Sequence, residues 1–487
     1  MTEDPAPVLR GGARPLYPRA MRSRVVAVLL LTLAPGLTTC ATPSSEGSTR
    51  PNVILLMTDD QGWGDLGMRG HPRLRTPHLD AMAEGGVSFE RFYAASPVCS
   101  PTRASVLTGR HPQRMGIPMA NSGHLPHGER TLAEELAAAG YATGHFGKWH
   151  LGTLTTEERD SNRGGPDGAE HYSPPWEHGF ETCFSTEAKV PTFDPMVTPP
   201  PEHGGVRQDQ AAGGPYGTAY WTGPGAKVTR DLDGDDSTLV MDRALAFVDR
   251  SVRDGRPFFA VVWFHAPHLP VVADPRRAER FADLPLQERH FLGCLEAVDD
   301  NVGRLRQHVR ELGIEDETMI WFTSDNGPEG APGSGRGSSG PFTGRKRSLK
   351  EGGVRVPGIL EWPGRFPPTR IDAPAGTVDT LPTVLSALGL PLPAAELDGI
   401  DLLPLLRGET TTRDRGMGFV YRNAEAWSDE RWKIHRKGDG AFALYDLERD
   451  PAEERDRALE HPEIAAHLEQ ELSRWKAGLD HRAGNGE

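Results

Sequence analysis

The chain has 487 residues, 37% of them hydrophobic and 25% charged, enough for one large globular domain with a smaller one appended. Its net charge of -14 argues against a general nucleic-acid binder, because a polyphosphate partner needs a basic surface. An anionic substrate held by a local cluster of Arg and Lys remains compatible with that charge.

The chain opens with a segment that reads as an export signal. Arg19, Arg22 and Arg24 precede a short apolar run over 25–33, too short for a membrane span. Met21 is an alternative start. Leu37-Thr38-Thr39-Cys40 resembles a bacterial lipobox, although Thr39 departs from the usual small residue there. Residues 1–40 are therefore expected to be a signal peptide, with lipid anchoring at Cys40 favoured and plain secretion the alternative, and 41–50, ATPSSEGSTR, a tether. The expected location is outside the cytoplasm, in the periplasm or at the cell surface.

From Asn52 onward, apolar strands alternate with helical patterns. VILLMT (53–58), FFAVVWF (258–264) and MIWFTS (319–324) are continuous apolar runs, as expected for strands covered on both faces. LVMDRALAFVDRSV and ERHFLGCLEAVDDNVGRLRQHVREL are amphipathic helices, and TVDTLPTVLSALGL closes the unit. The pattern predicts an α/β domain over 51–405 with a large, mostly parallel mixed sheet flanked by helices. Over 406–487, the strand-like GFVYRN, RWKIHR and GAFALYDL precede the helix PEIAAHLEQELSRWKAGL, which predicts a small antiparallel sheet with one covering helix. Of the cysteines, Cys183 and Cys294 are the only candidates for a disulfide, and a free, buried state is the better reading for both.

Unusual polar residues follow the strands. VILLMT runs into Asp59-Asp60, YATGHFG into Lys148-Trp149-His150, FFAVVWF into His265-Ala266-Pro267-His268, and MIWFTS into Asp325-Asn326-Gly327. Ligands of open α/β sheets bind beyond the carboxyl ends of the strands, so these groups should converge on one rim. Asp59, Asp60, Asp325 and Asn326 are hard oxygen ligands suited to Ca²⁺ or Mg²⁺, and two adjacent carboxylates call for a cation between them. His265 and His268 leave zinc as a minor option. In Ser96-Pro97-Val98-Cys99-Ser100-Pro101-Thr102-Arg103, Ser100 and Pro101 mark a helix start. Cys99 would sit at the positive end of its dipole, with Arg103 one turn on able to hold two anion oxygens.

Cys-Ser-Pro-Thr-Arg followed by Ala-Ser-Val-Leu-Thr-Gly-Arg closely resembles the signature of the type I sulfatases, in the alkaline phosphatase superfamily. Gly147-Lys148-Trp149-His150-Leu151-Gly152 resembles the second family signature. Asp59-Asp60, His265, Asp325-Asn326-Gly327, Lys350 in Leu-Lys-Glu-Gly-Gly and Leu444-Tyr445-Asp446-Leu447 follow in family order. The resemblance, over about 50–470, implies that a maturation enzyme oxidises Cys99 to formylglycine. It implies one Ca²⁺ held by Asp59, Asp60, Asp325, Asn326 and residue 99, with Arg103, Lys148, His150, His265 and Lys350 around the sulfate. In the implied reaction a hydrated aldehyde at residue 99 attacks sulfur while Arg103, Lys148, Lys350 and the cation stabilise charge. His265 or Lys350 protonates the leaving oxygen, which could contribute on the order of 10²–10⁴ in rate, and His150 takes the second proton.

The long aromatic segment after His150 is a candidate specificity loop. Trp176, Tyr172 and His178 could stack on a sugar, Glu187 and Lys189 could read its hydroxyls, and His268 could reach the substrate; packing of the loop is the alternative for each aromatic. A sulfated carbohydrate is the favoured substrate class. Competing functions are a broad arylsulfatase, a phosphate or phosphonate monoester hydrolase of the same superfamily, and a silent glycan-binding lipoprotein.

Overall fold

The computed structural model describes residues 50–480, so the expected signal peptide, its Cys40 and nearly all of the tether lie outside the described residues. The chain runs from β1 (Asn52–Thr58) into α1 (Pro77–Gly85), β2 (Val87–Phe89), β3 (Phe92–Tyr93) and α2 (Cys99–Thr108). Next come α3 (Leu132–Ala138), β4 (Ala142–Lys148), β5 (Thr182–Thr186), α4 (Asp236–Arg253) and β6 (Phe258–Trp263). Then follow α5 (Pro275–Glu279), α6 (Leu286–Glu311), β7 (Thr318–Ser324), α7 (Glu351–Val354), β8 (Arg355–Val356) and β9 (Gly358–Glu361). After β10 (Thr369–Ile371), β11 (Ala375–Gly376), α8 (Thr380–Ala387) and α9 (Leu403–Leu406), the chain enters β12 (Met417–Tyr421) and β13 (Ala424–Ser428). It closes with β14 (Trp432–Lys437), β15 (Ala443–Asp446) and α10 (Pro462–Asp480).

The main sheet has the order β10-β2-β9-β7-β1-β6-β4-β5. The block β7-β1-β6-β4-β5 is parallel, and β9 runs antiparallel to both β7 and β2, giving the mixed, mostly parallel sheet expected. β1 explains why its sequence is apolar throughout. Val53, Leu55 and Met57 pack into the core shared with α2, α3 and α8, while Ile54 and Leu56 pack into the core shared with α1, α4 and α6. The three apolar runs and both long helices fall where the sequence placed them.

β12 to β15 form an antiparallel sheet in sequential order, and Leu468, Leu472 and Trp475 of α10 pack with Trp427, Ile434 and Leu444. β13 was not anticipated; its sequence AEAWS is short and begins with poor strand formers. This sheet is fastened to the rest of the chain by a buried charge cluster. Lys433 Nζ lies 2.9 Å from Glu351 Oε1 and 3.0 Å from Glu453 Oε1, and Tyr93 donates its hydroxyl to Glu351 Oε2 at 2.8 Å. Cys183 and Cys294 are both buried and free. No helix among the described residues is long and apolar enough to cross a membrane.

Candidate active site

Because β1, β4, β6 and β7 are neighbours with a common direction, their carboxyl ends bring Asp59-Asp60, Lys148, His265 and Asp325-Asn326 to one rim. Asp60 has φ 70°, which turns the chain sharply after β1 and lets its backbone N–H donate to Asp325 Oδ1 at 3.1 Å. Asn326 Nδ2 donates to Asp60 Oδ1 at 2.7 Å. Lys148 Nζ pairs with Asp59 Oδ2. The helix α2 starts at Cys99 itself, one residue before the expected Ser100, since Val98 is the extended residue that precedes the first turn. All ten residues of α2 are buried, so Cys99 enters the site from a rigid element, within 4.8 Å of ligand atoms of Asp59 and Asp325.

Arg103 lies beside Cys99, Asp59 and Asp325. Its guanidinium is fully buried and committed, with Nε and Nη2 donating to Asp325 Oδ2 at 3.1 and 2.6 Å and Nη1 donating to the Lys148 carbonyl at 3.1 Å. These bonds orient the Asp325 carboxylate and the Lys148 backbone. The residues fit a divalent cation. Asp59 Oδ1 and Asn326 Oδ1 are buried and accept no hydrogen bond, beside three carboxylates that are at most 1% exposed. Donor-free oxygens of this kind suit a hard ion such as Ca²⁺. Burial and the neighbouring Asp59 charge push Asp325 up to about 7. Burial works against ionisation of Asp59 too, but Lys148, His268, Arg103 and Lys346 together hold its carboxyl well below the usual range. Burial also raises the Cys99 thiol, with Lys148 and Lys346 opposing, so the free thiol is protonated at neutral pH.

A cavity of about 350 Å³ opens beside this cluster, walled by Cys99, Lys148, His150, Lys189, His268 and Lys346 among others. His150 Nε2 lies 2.7 Å from Asn121 Oδ1, which also accepts from Asn162 Nδ2, so Nε2 carries the proton and the buried, unpartnered Nδ1 is a lone pair. His268 donates Nδ1–H to the Leu269 carbonyl at 2.7 Å, leaving Nε2 3.8 Å from Asp60. Burial lowers His268 to about 4 and takes His150 well below its ordinary value.

Six expected residues, His265, Lys350, Glu187, Trp176, Tyr172 and His178, do not line this cavity. His265 is fully buried with both ring nitrogens engaged, Nδ1 at 2.8 Å from Asp236 and Nε2 at 2.7 Å from Thr186; it braces α4 against β5, and His268 faces the cavity in its stead. Lys350 Nζ points to the Glu453 carbonyl at 3.3 Å and lies over the Tyr445 ring. The lysine at the site is Lys346, 2.6 Å from Asp60 Oδ1. Glu187 is buried against Arg163 at 3.0 Å, fixing the loop that presents Asn162. Trp176 packs against the core and donates to Tyr172 at 3.3 Å, and His178 is buried on Ser173, so these aromatics pack the loop and are absent from the cavity wall. Lys346, Asn121, Asn162, Arg347, Tyr421 and Arg422 were missed. The run Arg345-Lys346-Arg347-Ser348-Leu349-Lys350 offers several cations, and only the partner Asp60, far away in sequence, selects among them.

A family model described as Sulfatase matches residues 51–390. Human arylsulfatase A is 35% identical over 93% of this chain and 91% of its own length. N-acetylgalactosamine-6-sulfatase of Canis lupus familiaris is 35% identical over 81% of this chain and 72% of its own. Among solved structures, Ps i-CgsB in complex with k-i-k-neocarrahexaose superposes with a TM-score of 0.74 at 26% identity, covering 88% of this chain and 92% of that one.

Proposed function

The chain belongs to the sulfatase family of sulfuric ester hydrolases, and from that premise we propose that it removes sulfate from a sulfated carbohydrate, with residue 99 converted to formylglycine and a calcium ion bound beside it. The observation that carries this reading is the position of Cys99. It is the first residue of a wholly buried helix, it shares a cluster with Asp59 and Asp325, and it lines a cavity with Lys148, His150, His268 and Lys346.

Asp59, Asp60, Asp325, Asn326 and residue 99 would hold the calcium, which on binding offsets the crowded carboxylate charge and makes a hydroxyl at residue 99 more acidic. What formylglycine supplies, once hydrated, is an oxygen nucleophile with a second hydroxyl beside it, which lets sulfate leave and the residue regenerate. Arg103 holds Asp325 and the Lys148 carbonyl in place, so the acidic cluster is rigid before substrate arrives. Lys148 and Lys346 carry the positive charge that meets the sulfuryl oxygens as they gain charge. His150 Nδ1, free of any partner, accepts a proton from residue 99. Lys346, on the cavity wall, gives the departing oxygen a proton, while His268, whose Nε2 is a lone pair, can only accept a hydrogen bond there.

A carbohydrate is favoured over an aryl ester because the cavity wall carries Asn121, Asn162 and Tyr421, hydrogen-bonding groups suited to hydroxyls. The names of the relatives, an N-acetylgalactosamine-6-sulfatase and a neocarrahexaose complex, support the same class. On this reading 51–405 is the catalytic domain, 406–487 contributes Tyr421 and Arg422 to the cavity, residues 1–40 direct export with Cys40 as a lipid anchor, and a formylglycine-generating enzyme is the maturation partner. The test is turnover of the 6-sulfate and 6-phosphate of one amino sugar beside an aryl sulfate. Release of sulfate from the sugar supports the reading; turnover of the phosphate alone, or of the aryl ester alone, contradicts it.

A further inference from the structure

The cavity beside Cys99 holds more positive charge than one sulfate monoester can balance. Lys148, Lys189, Lys346, Arg347 and Arg422 line it and no carboxylate does, in a chain whose net charge is -14. Three of the five are already matched: Lys148 by Asp59, Lys346 by Asp60, and Arg347 by Glu329 at 2.7 Å. Lys189 and Arg422 have no carboxylate partner among the described residues. Lys189 Nζ is half-buried and donates to the Gly205 carbonyl at 2.8 Å. Arg422 is exposed on the turn between β12 and β13, its guanidinium 5.4 Å from the centre of the Tyr421 ring.

The backbone adds an independent observation. Arg422 has φ 53°, in the left-handed region where Gly or Asn is the comfortable residue of a hairpin turn. Asn121, His150 and Arg347 line the same cavity with φ of 61°, 58° and 73°. Unfavourable backbone geometry gathered at one cavity marks a place where side-chain direction matters more than local stability.

Resting on the sulfatase reading above, we propose that Lys189 and Arg422 form a second anion subsite, so that the preferred substrate carries another sulfate or a carboxylate near the sulfate being removed. Neither residue touches the metal cluster or Cys99 in the described contacts, so both act on which ester binds and not on the bond that breaks. A second anion entering a cationic, partly dry cavity gains more than it would in water, and salt should weaken the gain.

The test uses binding, so it does not depend on maturation or turnover. Calorimetry on the Cys99→Ala chain with calcium would compare a monosulfated amino sugar, its disulfated counterpart, and monosulfated disaccharides ending in a uronate or in the matching neutral hexose. The expected result is at least tenfold tighter binding of the disulfated or the uronate ligand than of its singly charged match, shrinking as salt rises, and the arm that shows it names the anion. Adding Lys189→Ala and Arg422→Ala should close the gap to within about threefold. Arg422→Gly is a second variant, which relieves the left-handed backbone while removing the charge; it should hold or raise the melting temperature and still narrow the gap. Equal affinities in the parent chain, no measurable binding of any ligand, or a gap that survives the double variant would overturn the subsite. A wild-type chain that binds with this preference yet turns over no sulfate ester would count against the enzymatic reading and leave the subsite standing.

Discussion

Lys346 Nζ lies 2.6 Å from Asp60 Oδ1 with its side chain 4% exposed, while Lys350, four positions later, turns away to the Glu453 carbonyl oxygen at 3.3 Å. A short loop therefore decides which lysine faces the acidic cluster and which meets the C-terminal segment. Lys346→Ala should lower kcat/KM by about 10²–10³, the size expected for losing one buried charge stabiliser of the transition state. Lys350→Ala should stay within about threefold of the parent enzyme. Steady-state kinetics on one sulfate ester would check both, and the reverse ranking would restore Lys350 to the site.

The donor-free oxygens of Asp59 and Asn326 predict that calcium stabilises the fold. At about 100 times Kd, a ligand bound only by the native state adds about 2.7 kcal/mol. Melting temperature should rise on titrating calcium into chelator-treated protein, and Asn326→Ala should blunt the response. A melting temperature indifferent to calcium in the parent chain would contradict the metal assignment.

Lys433 is fully buried between Glu351 and Glu453. Removing it leaves two carboxylates facing each other out of water. Lys433→Met should destabilise the chain by about 3–5 kcal/mol, the usual result of breaking a buried pair from one side. Urea denaturation would measure this, and a loss under about 1 kcal/mol would show that water reaches the cluster.

Burial, partly offset by Asp398, lowers His111 to about 4; its ring meets Trp475 of α10 edge-on with centroids 4.7 Å apart. Its folded value lies below the unfolded value of about 6.5, so below that pH the unfolded chain takes a proton the folded chain refuses. This contribution to stability is intact above pH 6.5, is lost progressively as pH falls from 6.5 to 4, and changes little below. Relative to His111→Gln, the parent should lose up to about 3 kcal/mol across that window. Denaturation curves at pH 7, 5.5 and 4 would show it, and parallel pH profiles would contradict the buried, neutral histidine.

The parallel half of the sheet was legible because its strands are buried on both faces and so lack polar positions: VILLMT, FFAVVWF and MIWFTS could be little else. The polar groups after those strands were legible for the same reason, as hydrophilic residues abruptly following apolar runs. Short strands such as Phe92–Tyr93 and Ala424–Ser428 owe their existence to partners elsewhere and left no periodic signal. Within the site, residues at a strand end, on α2 or on the loops just after β5 and β6 were named from the sequence, whereas Asn121, Asn162, Lys346, Arg347, Tyr421 and Arg422 were not. Lys346 is chosen by Asp60, and Arg422 arrives on a hairpin turn of the C-terminal sheet. The different placement of His265 and His268, both named from the sequence, has a similar origin. Both follow β6, and only the packing of Asp236 and Thr186 around the first reveals that the second faces the cavity.

Residue 99 is the centre of the proposed chemistry. Mass spectrometry of the tryptic peptide spanning 92–103, taken from protein purified out of its native host and shown to release sulfate from an ester, tests it most directly. Residue 99 should be present there as the aldehyde or its hydrate, and Cys99→Ala protein should be inactive while melting like the parent. An active preparation carrying only the free thiol at residue 99 would contradict it.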